Sequence, residues 1–308
     1  MTLNKNNMIC DVETGVCGLS GDTEMELLDF NFPPKSVTLY YVTDPICSHC
    51  WALEPVLNRF IEQYGQYFHF RTVMGGLLPS WDGFADTANG IGSPSDVAKH
   101  WREVGEHSRM PIDGTLWIHN PIQSSFPSSR VFKMIQKKDE ERANTYLRLA
   151  REAVFVFNQN IGEKQVLIDI VNQIGLDGEL IVKEAELPSG QQLLNEDFEL
   201  SKSLGVRGFP TIIMVNQENK GIKIVGARPL ENYITGLKEV LLNAGNIQEQ
   251  PVPTLETFLE KGKRRFSKEI EEMYQLPKNR VKSFVQRELL PDSYQMKEIL
   301  GELYIEKY

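Results

Sequence analysis

The chain has 308 residues and a net charge of −9, with 41% hydrophobic and 24% charged side chains. That balance supports a globular core and disfavours nonspecific binding to nucleic acid or an anionic membrane. No apolar run approaches the roughly 18 residues of a membrane span, and residues 1–30 lack the apolar core of a secretion signal. Four cysteines are too few for a disulfide scaffold, so the expected setting is the cytoplasm, where exposed thiols stay reduced.

In chain order, residues 1–34 read as an irregular segment that carries Cys10 and Cys17 and ends in Pro33-Pro34. Ser36–Thr43, with Val37-Thr38-Leu39-Tyr40-Tyr41-Val42 at its centre, predicts a buried strand. From Trp51 the period changes, and Leu53, Val56, Leu57, Phe60 and Ile61 fall on one face of a helix through Tyr64. His69–Met74 predicts the next strand, closed by Gly75-Gly76. Residues 79–93 read as an excursion loop, and Ser93-Pro94 opens a long helical block. Within it, Leu147, Ala150, Val154 and Phe157 mark a buried face, and Arg148, Arg151 and Glu152 a solvated one. Strands return at Thr211–Val215 and Lys223–Val225, and Pro229–Leu242 predicts a helix. The order βαβ, helical block, ββα predicts a thioredoxin fold with a large helical insertion, at residues 93–205 of a domain spanning 35–245. Residues 253–308 predict a small C-terminal helical appendage, with helices near 255–259, 266–274, 279–289 and 294–304. Its 11 basic and 10 acidic side chains nearly cancel, which speaks for protein docking or packing rather than DNA binding.

Cys47-Ser48-His49-Cys50 lies where the first strand ends and the first helix begins. A thiol reacts as its thiolate, and a helix N-terminus offers unsatisfied N–H groups and a positive dipole end. Cys47 is therefore the expected nucleophile and Cys50, three residues on, the resolving thiol. His49 can add positive charge or a hydrogen bond to the Cys47 thiolate. The alternatives are a zinc half-site or two inert thiols. Structural zinc takes four ligands, and only Cys10 and Cys17 could complete a cysteine set, with a gap longer than the usual knuckle. A C-x-x-C in a βα setting reads as redox. Cys10 and Cys17 themselves remain open between a second dithiol, part of a metal site and two incidental thiols.

Gly208-Phe209-Pro210-Thr211 places a proline at the start of an apolar strand, where it is tolerated. Phe209 and Pro210, with Trp51, are the expected substrate-binding residues beside the dithiol. His100, His107 and His119, seven and twelve apart, are expected as caps and packing residues rather than a metal cluster. Trp81, Trp101 and Trp117 read as core or cleft walls. Ser124, Ser125, Ser128 and Ser129 lack a matched base and read as loop and cap residues.

Asp44-Pro45-Ile46-Cys47-Ser48-His49-Cys50-Trp51, the helical insertion and Val206-Arg207-Gly208-Phe209-Pro210-Thr211 resemble the DsbA superfamily of thiol–disulfide oxidoreductases. Asp44-Pro45-x-Cys47-x-x-Cys50-Trp51-x-Leu53-Glu54-Pro55 resembles its cytosolic branch, which holds FrnE-like proteins and the SpxH (YjbH) adaptors. Phe266-Ser267-Lys268-Glu269-Ile270 and Met273-Tyr274-x-Leu276 resemble that adaptor family's C-terminal segment. The resemblance implies an oxidoreductase acting on protein or small-molecule disulfides, without a cofactor, with Pro210 cis against the dithiol. The alternative it implies is an adaptor that binds the regulator Spx and presents it to the ClpXP protease. Ser48-His49 stands where adaptor motifs tend to carry Pro and an acidic residue. A His before the second Cys is the oxidising enzymes' pattern and favours the enzyme reading.

Overall fold

The computed structural model describes residues 9–11, 16–18, 36–84, 86, 90–241 and 247–308. Residues 1–34 and 35–308 are two compact units. In the first, β1 (Ile9–Asp11) and β2 (Val16–Gly18) pair antiparallel, with Cys10 opposite Cys17 in the backbone register. The expectation of an irregular segment is corrected at these two strands. Each holds only three residues, a run too short to show a period.

The second unit is organised around β3 (Val37–Thr43), whose Val37, Leu39, Tyr41 and Val42 are buried. β4 (Phe68–Met74) pairs with it in parallel, β5 (Thr211–Asn216) antiparallel on the other side, and β6 (Gly221–Val225) closes the order β4-β3-β5-β6. A parallel pair needs a crossover, supplied by α1 (Ser48–Tyr64). Leu53, Leu57 and Phe60 of α1 share one core with Leu39 and Met214 of the sheet and with Tyr233 and Leu237 of the helix after β6, Leu230–Val240. Between β4 and β5 run α2 (Pro94–Ser108), α3 (Leu116–His119), α4 (Phe126–Gln136), α5 (Glu140–Arg151), α6 (Lys164–Gln173), α7 (Gly178–Glu186) and α8 (Pro188–Ser203). The leading helix after β6 is α9. This is a thioredoxin fold with a helical insertion, and the insertion has its own core around Trp101, Phe132, Tyr146, Phe155 and Leu194. The helix expected to run through Phe157 instead leaves α5 as a π-helical turn, Glu152–Val156.

The C-terminal segment is not all helical. After α10 (Leu255–Glu260) come β7 (Arg264–Phe266), α11 (Ser267–Tyr274) and α12 (Val281–Glu288). Then follow β8 (Tyr294–Ile299) and β9 (Glu302–Lys307), forming a sheet of order β7-β9-β8. The expected helix over Tyr294–Tyr304 is a β-hairpin. Its two-residue turn, Leu300-Gly301, has φ of 51° and 76°, the positive values that a tight hairpin turn of this hand requires. Tyr304 and Ile305, aromatic and β-branched and both buried, carry the strand signal that a helical reading overlooks.

The face expected to be solvated is the seam where this segment attaches. Arg148 reaches Glu54 of α1 at 2.6 Å, Glu152 at 2.8 Å and, through two nitrogens, Glu269 of α11 at 2.8 Å. Arg151 reaches Glu54 at 2.8 Å. Arg264 pairs with Glu152 and Glu306. Leu147, Ala150 and Val154 are buried as expected but Phe157 is exposed, and the charged face finds partners both 94–97 residues earlier, at Glu54, and more than 100 residues later, at Glu269 and Arg264.

Candidate active site

Cys47 is the N-cap of α1, in extended conformation, and its Sγ accepts from the Cys50 N–H at 3.2 Å. The two cysteines are disulfide-bonded, with Cα atoms 5.2 Å apart. Cys47 keeps 6% of its surface and Cys50 none, so Cys47 carries the sulfur that a partner can reach. Asp44 fixes the approach to the pair. Its buried carboxylate accepts from Ile46 N at 3.1 Å, from Leu77 N at 2.8 Å and from Ser125 Oγ at 2.9 Å. Burial pushes the Asp44 pKa above the ordinary carboxylate value, against those hydrogen bonds and Arg151. Ser125, expected as a cap residue, thus ties the start of α4 to the dithiol loop.

A cleft of ≈ 480 Å³ opens beside Cys47. Leu77, Trp81, Phe84, Trp101, Trp117 and Phe209 supply its apolar walls, and His49, Asp86, His100 and Arg207 its polar ones. The three tryptophans are both core and cleft wall. Trp81 and Trp101 meet Trp117 edge-on at 5.9 and 5.2 Å. The Phe209–Pro210 peptide bond is cis. Phe209 is half-buried on the cleft wall, whereas Pro210 is buried and gives its carbonyl to Gly226 N at 2.8 Å. A Cβ on Gly75 would lie 2.0 Å from the Phe209 ring, which would then have to shift.

The expectation for Trp51 is corrected. It is fully buried, stacked on Phe155 at 5.8 Å and meeting Phe266 edge-on at 5.7 Å, with Nε1 donating to Pro111 O at 3.0 Å. Helical geometry explains this: Cys50 faces the sheet core, and the next residue turns about 100° toward the insertion and the C-terminal segment. It cannot touch a substrate at Cys47.

His49 is solvent-exposed as a residue, but its ring lies 5.3 Å from that of His100. Partial burial first, and then His100 and His107, push its pKa below the ordinary imidazole value. In the disulfide state this favours neutral His49, so its expected positive charge needs a thiolate to draw the proton in. His100 is the site residue that sequence reasoning missed. Its seven-residue spacing from His107 is two helical turns and puts both on one face of α2; that spacing was the available signal. His119 lies at the end of α3, and its sequence distance from the other two gave no reason to group it with them. Among the described residues no three His, Cys, Asp or Glu are arranged to hold a metal. For Cys10 and Cys17 the structure gives the strand register alone.

A strand–dithiol–helix start, a cis-proline loop before β5 and a helical insertion define a DsbA-like member of the thioredoxin family. A family model described as thioredoxin matches residues 40–235, and the chain belongs to that family. The cytosolic disulfide reductase DsbM from Pseudomonas aeruginosa superposes with a TM-score of 0.53 at 20% identity, over 67% of this chain and all of that one. Within the family, the chain belongs to the SpxH branch. It is 30% identical to the ClpXP adapter protein SpxH of Halalkalibacterium halodurans over 85% of its own length and 84% of the relative's. With that of Bacillus subtilis the identity is 28%, over 79% and 80%. Among the described residues no helix is long and apolar enough to cross a membrane.

Proposed function

We propose that the chain is a ClpXP adapter of the SpxH type, which binds an Spx-like regulator and delivers it to the protease. The observation that carries this reading is coverage. The SpxH relatives match 74% of the chain or more, whereas the disulfide reductase that shares the fold covers 67%. This reverses the weight that Ser48-His49 gave to the enzyme reading. With purified components, the chain should form a complex with Spx and accelerate its degradation by ClpXP. Both effects should survive Cys47→Ser/Cys50→Ser. Absence of both complex and acceleration would refute the reading.

A second reading is favoured by the geometry around Cys47: thiol–disulfide exchange at the same body. In the reduced form the Cys47 thiolate attacks one sulfur of a substrate disulfide and expels the other as a thiolate. Cys50 then attacks Cys47 Sγ, releases the second substrate thiol and re-forms the Cys47–Cys50 bond. The substrate gains two electrons and the dithiol loses them; the reverse sequence oxidises a substrate dithiol. The apolar cleft walled by Trp81, Trp101 and Phe209 suits an apolar side chain next to the reacting cysteine. Turnover of insulin or a scrambled substrate should vanish in Cys47→Ser. Equal turnover in that variant would end the reading without touching the adapter one.

A further inference from the structure

A second cavity, of ≈ 340 Å³, lies away from the dithiol where α1, α5 and α10 meet. Arg148, Arg151, Lys261 and Arg265 reach its walls, along with Asn58, Asn144, Phe70 and Phe258. Its carboxylates are mostly spoken for. Glu54 is held by Arg148 and Arg151, and Glu62 by Lys261. Glu141 stands exposed at the rim.

Arg265 is the anomaly. Its side chain is 6% exposed and lies over the Phe258 ring, with the guanidinium carbon 4.2 Å from the centroid. Nε donates to Phe258 O at 3.1 Å. Among the described residues neither Nη makes a hydrogen bond; Glu269, already held through both oxygens by Arg148, lies 3.7 Å from Nη1. Arg151, on the same cavity, has a buried Nε without an acceptor. A guanidinium remains charged at any ordinary pH, and the Nη groups of Arg265 reach the cavity wall without being sealed from solvent, so they stay available to an acceptor there. Burial outweighs Glu269 and lowers the Arg265 pKa, as expected for an under-compensated cation.

The geometry points to this cavity as a binding site for a small oxyanion, a carboxylate or phosphoryl group, received by the free Nη donors of Arg265. Lys261, paired with Glu62, stands on the same wall, and Asn58 and Asn144 line the approach. Arg–oxyanion pairing is the strong, two-pronged kind. The aromatic walls leave room for a ligand body of metabolite size. The site is independent of Cys47 and of either reading above.

Calorimetric titration of the full chain with inorganic phosphate and, separately, glutarate tests it. Binding with a dissociation constant of order 1 mM or tighter is expected for at least one probe. Response to phosphate alone assigns a phosphoryl ligand, to glutarate alone a carboxylate. Arg265→Met should weaken binding by about ten-fold or more. Lys261→Glu, at a half-exposed position, should weaken it several-fold, and it decides the matter should Arg265→Met fail to fold. No heat from either probe, or wild-type affinity in Lys261→Glu or in a folded Arg265→Met, overturns the proposal.

Discussion

On one side of α1, Cys47 faces a cleft whose walls are largely apolar and on which His49 is held toward neutrality. On another side, Trp51 and Glu54 meet a layer in which Arg148, Arg151, Arg264, Glu152 and Glu269 are buried and charged. Burial would raise the Glu269 carboxyl, but Arg148 and then Arg265 outweigh it and hold it below the ordinary value. One helix thus serves two surfaces that solve the cost of burial differently. At the cleft, the walls are mostly apolar, with Asp86 and Arg207 as the charged exceptions. At the seam, Glu54, Glu152 and Glu269 are each shared between two guanidiniums, which ties the C-terminal segment to α1 and α5. Arg148 lies 4.7 Å from the Trp51 ring and connects the two, since Trp51 follows Cys50 directly.

The seam is where the comparison breaks most visibly. Arg148→Met removes the cation shared by three carboxylates and leaves Glu269 buried beside only the distant Arg265. Unfolding free energy should fall by about 3–5 kcal/mol, and hydrogen exchange should rise first in residues 264–307. A loss below about 1 kcal/mol would mean the layer is solvated in the way its sequence pattern implies. On the cleft side, Gly75→Ala drives a methyl group into the Phe209 ring. The ring must rotate into the cleft, so we expect a stability loss of about 1–3 kcal/mol together with weakened capture of peptide substrates. Unaltered peptide binding would show that the Phe209 wall takes no part.

The contrast also explains what was readable in the sequence. The dithiol was legible because its chemistry is local: strand, C-x-x-C and helix lie within residues 37–64. Phe209–Pro210 was legible because a proline at a strand start is a conspicuous signal. Trp51 misled, since adjacency in a motif says nothing about which face of α1 a residue occupies. Arg148, Arg151 and Glu152 misled for a deeper reason. A charged stripe looks identical whether water or distant carboxylates complete it, and Glu269 is 121 residues from Arg148. The β8–β9 hairpin was missed because Leu300-Gly301 is not among the common turn pairs and the strands are half-polar.

A smaller effect belongs to the edge of the seam. Burial raises the Glu302 carboxyl, but hydrogen bonds from Arg109, Lys278 and Ser267 outweigh it and bring its pKa to about 2. A depressed carboxylate stabilises the fold fully above its ordinary value of 4.5 and ceases to do so as the pH falls through 2. Glu302→Gln should therefore flatten the acid limb of the stability profile between those limits. An identical limb in wild type and variant would assign the acid loss to other carboxylates.

The finest test returns to the cleft, where His49 faces His100 and His107 on α2, with Asp86 and Arg207 on the remaining walls. Because the His49 pKa is lowered in the disulfide state, the folded protein disfavours its charged form. Stability of that state should decline as the pH falls through the ordinary imidazole value near 6.5. His100→Ala removes one like-charged neighbour but leaves the burial that is the main cause. The His49 pKa, followed by NMR titration, should therefore move up without reaching the ordinary value. In the reduced protein, where a Cys47 thiolate competes for the same proton, His100→Ala should shift the thiol titration in step. If His49 titrates identically with and without His100, the two rings are packed neighbours and nothing more, and α2 contributes shape but no charge to the cleft beside Cys47.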